Sequence, residues 1–133
     1  MKKSILIALL FFTANHAFCQ ERTYQINYFA VAYLNTTTEN FDWQPKQKVN
    51  LKLTIRGELF LINDQAASYF IRGEQITYQN TDEMIRFLWK AVDSNGKACD
   101  LKEDIIKVNG KYTGVFHLYI YYKEYACYYE VSV

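Results

Sequence analysis

The chain has little of what builds most enzyme active sites. Its 133 residues include only three cysteines, two histidines, one proline and five glycines. That inventory excludes clustered Cys/His zinc sites and leaves histidine-based catalysis almost nothing to work with. No G-x-S-x-G elbow, phosphate-binding glycine loop or dinucleotide fingerprint occurs. An excess of one charge is missing too. With 15 basic and 14 acidic side chains the formal charge is +1, which gives neither nucleic acid nor an anionic membrane an electrostatic hold. The longest uninterrupted apolar run, Ile5 to Phe12, falls far short of the roughly 20 residues that span a bilayer, so no transmembrane segment is expected. No metal or other cofactor is expected either, and the chain reads as a non-enzyme.

What is present begins with an export signal. Lys2 and Lys3 precede the apolar run, and Ala17-Phe18-Cys19 places small residues three and one positions before Gln20. Cleavage is expected before Gln20, dividing the chain into a signal peptide (1–19) and a single domain (20–133) that is periplasmic or secreted. A second reading makes Cys19 the lipid-bearing first residue of a lipoprotein; Phe18 directly before it is bulkier than bacterial lipidation favours. Removing 19 of the 133 residues leaves 114, and 13 basic against 14 acidic side chains. The remaining domain keeps one histidine, His117, and two cysteines, Cys99 and Cys127.

Those 114 residues carry strand signals throughout. Tyr24 to Leu34 is aromatic and β-branched, and the polar stretch Asn35 to Lys48, with the lone Pro45, reads as a long loop after it. Val49, Leu51, Leu53 and Ile55 alternate with polar residues, so one face is buried and one is wet. A Gly57-Glu58 turn sets Ile55 against Phe60 and Leu53 against Ile62. Asn63-Asp64-Gln65 and Gly73-Glu74 are further turn signals around a strand at Tyr69 to Arg72. Met84 to Val92 has some helical spacing and a possible Asn80/Glu83 capping box, but the alternation of Phe87, Trp89 and Ala91 favours a strand. Ser94-Asn95-Gly96 then sets Ala91 against Cys99 and Trp89 against Leu101. Asn109-Gly110 would set Leu101 against Leu118 and Cys99 against Ile120. A Lys123-Glu124 turn sets Ile120 against Cys127 and Leu118 against Tyr129. The expected fold is all-β, an antiparallel meander of seven or eight strands forming a small barrel or a strongly curved sheet.

Three features could carry function. Cys99 and Cys127 form either a disulfide, as export invites, or a pair of buried thiols, as a separation of two strands requires. His117 falls across from Glu130, the minimum of a general-base device but more simply a cross-strand pair. Six of the 12 tyrosines lie between Tyr119 and Tyr129. Alternation sends Tyr119, Tyr121 and Tyr128 to one face, either a candidate aromatic surface for a sugar or a protein or a packed face covered by the first strand or the Asn35 to Lys48 loop, and Tyr122, Tyr125 and Tyr129 to the other. Asp93, Asn95 and Asp100 lack calcium-loop spacing and read as hairpin chemistry.

Gln20 after the signal, the hairpin Asp93 to Leu101 and the strands Leu118 to Tyr122 and Tyr129 to Val131 resemble small secreted proteins of Bacteroidota that form an uncharacterised family. The resemblance implies an exported β protein and assigns no functional residue. The expected function is therefore a non-enzymatic binding or interaction module of the cell envelope, with a protein or glycan partner. The alternative is a calycin-like barrel that holds a small apolar ligand among residues such as Leu53, Ile55, Trp89 and Leu118. Mass spectrometry of protein recovered from an exporting bacterial host should find a chain beginning at Gln20; a diacylated Cys19 at its start would replace that reading with the lipoprotein.

Overall fold

Period-two alternation predicts strands that bury one face, and the computed structural model, which describes residues 21–63 and 67–133, realises it as nine antiparallel strands. They are β1 (Arg22–Asn35), β2 (Asn40–Trp43), β3 (Gln47–Arg56), β4 (Leu59–Ile62) and β5 (Ala67–Asn80), then β6 (Met84–Asp93), β7 (Ala98–Val108), β8 (Lys111–Tyr121) and β9 (Tyr125–Ser132). Strands β3 to β9 follow one another as a meander, and β1 pairs with β3 along one edge and with β9 along the other. Eight strands thus close into a barrel, which removes the open edges of a sheet. The ninth, β2, continues along the β3 side of β1, from Ala32 opposite Trp43 to Asn35 opposite Asn40. The expected export segment, its cleavage point and the Asp64-Gln65 part of a turn lie outside the described residues.

Most registers expected from turn chemistry are present. Ile55 faces Phe60 and Leu53 faces Ile62 around Gly57, whose φ is +60°. Ala91 faces Cys99 and Trp89 faces Leu101, with Gly96 left-handed at φ +77° closing the three-residue loop. In that loop Asp93 Oδ1 accepts the backbone N–H groups of Asn95 and Lys97, both at 2.9 Å. Ile120 faces Cys127 and Leu118 faces Tyr129. Met84 to Val92 is strand, because its alternating side chains find partners on both sides, in β5 and β7.

Three expectations need correction. The turn signal Gly73-Glu74 does not turn: β5 runs through it, absorbing the irregularity as register shifts between Ile71, Gln75 and Thr77. The stretch Asn35 to Lys48 is not all loop, since β2 lies within it. Its turn is organised by Asn35, whose side-chain oxygen accepts the N–H groups of Thr37 and Thr38 at 3.0 and 3.2 Å. Finally, Leu101 faces Ile120 rather than Leu118, and Leu118 faces Glu103. The Asn109-Gly110 turn forms as expected, with Val108 opposite Lys111 and Lys107 opposite Tyr112, but a bulge around Gly114 then shifts the pairing by two residues. A shift of two keeps every side chain on its own face, so the sorting of inward from outward residues survives the slip.

Inward residues from all eight barrel strands form one core, in which Ile26, Leu53, Leu101, Leu118, Ile120 and Val131 are fully buried. Tyr69 on β5 lies within it, together with Tyr122 and Tyr129. Tyr122 donates its hydroxyl to Asp93 Oδ2 at 2.7 Å. Burial raises the Tyr69 pKa to about 12, against the neighbouring Tyr122 and Tyr129 hydroxyls, which pull it down. Cys99 is buried and Cys127 half-buried, both as free thiols. The shifted register puts Cys99 a further step along β7 from the row of Ile120 and Cys127. Burial raises the Cys99 pKa to about 11, which makes it a small apolar residue and a poor nucleophile.

Gly114 has φ +79° and open space where a Cβ would stand, so only backbone strain opposes a side chain there. Gly114→Ala should therefore destabilise the fold by about 1–2 kcal/mol, read as a lower urea midpoint at unchanged slope, with Gly114→Asn costing less.

Candidate functional site

Alternation along β8 and β9 carries Tyr119, Tyr121 and Tyr128 to the outer surface, and cross-strand pairing sets Tyr119 against Tyr128. Tyr119 and Tyr121 stack with centroids 5.9 Å apart, and Tyr119 and Tyr128 meet at 5.1 Å. Tyr122, Tyr125 and Tyr129 point inward; the first two stack at 4.6 Å beneath the Lys97 ammonium.

The outer tyrosines do not form an open platform. Ala30 and Ala32 on β1 and Ala126 on β9 are the outward residues beside them, and all three are buried. These small side chains leave a trough, which β2 fills. Phe41 reaches Tyr121 at 5.7 Å, and Trp43 reaches Tyr119 at 5.8 Å and Tyr128 at 6.2 Å, both edge-on. Tyr128 retains only 8% of its exposure, while Trp43 keeps 42%. Lys102 lies 4.1 Å from the centre of the Tyr119 ring, a cation–π contact that fixes one face of the tyrosine. Burial pushes the phenols of Tyr119, Tyr121 and Tyr128 up, Tyr121 to about 12, so all three stay neutral donors in water.

Between β2 and the tyrosines lies a pocket of about 210 Å³ lined by Ala30, Trp43, Gln44, Lys46, Tyr119 and Tyr128. Its walls are aromatic and its lip polar. A wider recess of about 560 Å³ adjoins the β6–β7 and β8–β9 turns, between Phe41, Tyr121, Lys90 and Lys123.

A row of charges crosses the same outer face. Strand pairing sets Arg86 beside Asp104, Asp104 beside His117, and His117 beside Glu130. Arg86 donates to both Asp104 oxygens, at 2.7 and 2.9 Å, and Asp104 is only 3% exposed. That bidentate geometry satisfies a carboxylate that burial would otherwise penalise. The expected His117 and Glu130 pair is adjacent in register, but Glu130 Oε2 accepts from Lys46 at 3.1 Å and from Tyr128 at 3.2 Å. His117 instead packs edge-on to Tyr128 at 5.2 Å. Burial lowers its pKa, outweighing the pull of Glu130 and Asp104, so the imidazole is neutral at pH 7. The residues that sequence reasoning missed are Phe41, Trp43 and Lys46, hidden in an apparent loop, and the Arg86–Asp104 pair. Their signals were weak: two aromatics at spacing two in a polar stretch, and charges at wet positions of two strands.

Among the described residues no cluster of His, Cys, Asp and Glu could hold a metal, and no helix is long and apolar enough to cross a membrane. No protein-family model, curated protein or solved structure matches the chain.

Removing Arg86 strands the Asp104 carboxylate. Arg86→Met should destabilise the fold by about 3 kcal/mol, whereas Arg86→Met combined with Asp104→Leu should recover most of that loss in the same urea titration.

Proposed function

We propose that the protein is a non-enzymatic binding module of the cell envelope, and that it takes a glycan on its outer aromatic face. The observation that carries this reading is the pocket between Trp43, Tyr119 and Tyr128. Two nearly perpendicular aromatic walls and a lip of Gln44 and Lys46 suit a ring that is apolar on its faces and polar at its rim, as a sugar is. At about 210 Å³ the pocket suits a single ring, below the 300 Å³ at which drug-sized sites begin. A protein partner is less well served. A stable protein interface needs about 800 Å² on each side, and β2 already occupies much of the tyrosine surface.

Binding without chemistry fits the same groups. The neutral His117 lacks an adjacent nucleophile among the described residues, and Glu130 is engaged by Lys46 and Tyr128. Placement in the cell envelope rests on the export segment and on the resemblance of the hairpins to small exported proteins. The apolar-ligand reading is compatible with the closed eight-stranded barrel. Of its four expected lining residues, however, Leu53 and Leu118 are fully enclosed by the core. Only Ile55 and Trp89 keep accessible surface on the inward side.

Titration with a panel of soluble oligosaccharides from bacterial envelopes, followed by ¹H–¹⁵N spectra, should move the Trp43 indole and the Gln44 amide. Trp43→Ala should weaken that binding about tenfold or more. Absence of shifts at Trp43 with every oligosaccharide, or equal affinity of the Trp43→Ala protein, would overturn the glycan reading.

A further inference from the structure

One set of inward residues is unlike the rest of the core. Register places Tyr78 of β5, Phe87 of β6 and Glu103 of β7 in a single inward row, with Trp89 the next inward residue on β6. Phe87 and Trp89 stack in parallel at 5.2 Å and 9°, and Tyr78 continues the ladder at 5.4 Å from Phe87. Leu118, the other neighbour of Glu103 in the row, is fully buried, yet Phe87, Trp89 and Glu103 remain half-buried and Tyr78 is 55% exposed. The reason is topological. β5 pairs with β4 only as far as Phe70, whereas its pairing with β6 runs on to Asn80. The β5–β6 hairpin overhangs the short β4, so its inward aromatic face is accessible from the end of the barrel.

We propose that Tyr78, Phe87, Trp89 and Glu103 form a binding site for a compact organic cation of the alkylammonium type, separate from the outer aromatic pocket. Aromatic faces carry negative quadrupole density and attract an ammonium group, and the attraction grows when the site is partly dry. Glu103, in its ionised form, adds the opposite charge beside the ladder. Charge complementarity therefore selects a cation over a neutral apolar ligand of the same size. Among the described residues, the neighbouring cations do not compete for Glu103. Arg86, Lys90 and Lys102 belong to the outer face; Asp104 and Asp100 hold the first two, and Tyr119 holds the third. The inward residues beside Glu103 in register, Phe87 and Leu118 across from it and Leu101 and Ile105 along β7, carry no charge, and among described side chains Glu103 has no hydrogen-bonding partner.

An inward carboxyl in such surroundings is costly for the fold alone. Burial, with the like charge of Asp104 adding to it, raises the Glu103 pKa to about 7. A bound ammonium ion would favour the ionised form, so binding should release protons near neutral pH and tighten as the pH rises from 6 to 8.

The two indoles give a direct test in the intact protein, since Trp89 reports on this site and Trp43 on the outer one. Choline and butylammonium are titrated at pH 8 against 3,3-dimethylbutan-1-ol, the uncharged isostere of choline, by ¹H–¹⁵N spectra. The proposal expects saturable movement of the Trp89 indole with the cations, a still Trp43 indole and no saturation with the alcohol. Glu103→Gln, nearly isosteric, should weaken choline binding about tenfold or more while leaving the spectrum of the folded protein in place. Equal affinity for the alcohol, unchanged affinity in Glu103→Gln, or no saturable movement of Trp89 with either cation would overturn it. None of these outcomes bears on the Trp43 pocket, so the two sites stand or fall separately.

Discussion

Pairing of β1 with β9 is the constraint on which the rest of the structure depends. β1 is 14 residues long and hydrogen-bonds along both edges, to β9 on one side and to β3 and then β2 on the other. Without that strand the meander from β3 to β9 would be an open sheet with two unsatisfied edges, and half of its inward face would have nothing to pack against. With it, eight strands share one core. The bulge at Asn27, where the β1 register shifts against both neighbours at once, is the local adjustment that lets one strand bend to serve two edges.

Closure also sorts the chemistry. Most inward positions are apolar or find a partner, as Tyr122 does by donating its hydroxyl to Asp93. Outward positions are free to be charged, and the row from Arg86 to Glu130 uses that freedom. The two candidate sites arise where this division is least complete. On the outside, alanines of β1 and β9 leave room for β2 to lay two aromatic rings against the tyrosines. On the inside, the β5–β6 hairpin runs past its β4 neighbour and leaves aromatic surface and one carboxyl accessible.

Much of this was legible from residue order. The alternation of Val49 to Ile55, and of Phe116 to Ile120 against Cys127 to Val131, specified faces directly, and positive-φ glycines at Gly57, Gly96 and Gly110 specified turns. The Leu101 register was misjudged because a turn sets pairing only until the next bulge, and Thr113-Gly114 gives no alternation signal. Parity was nonetheless retained, so Tyr119, Tyr121 and Tyr128 were correctly assigned to one face. β2 is illegible in the sequence since four residues between polar neighbours carry too little pattern, and its place is decided by Ala126, more than 80 positions away, as well as by β1. Glu103 had a readable signal: it occupies the inward slot between Leu101 and Ile105. The run Lys102-Glu103-Asp104 disguised it as a wet segment.

The central claim is that β1 closes the barrel as an interior strand, and native-state hydrogen exchange tests it most directly. If β1 is paired on both edges, amides from Gln25 to Phe29, apart from the bulge at Asn27, should exchange only through global unfolding, with the same protection as Leu118 and Ile120 in β8. If those amides instead exchange through local opening, orders of magnitude faster than β8, the barrel is not closed by β1. Neither the outer pocket nor the inward site would then have the support assigned to it here.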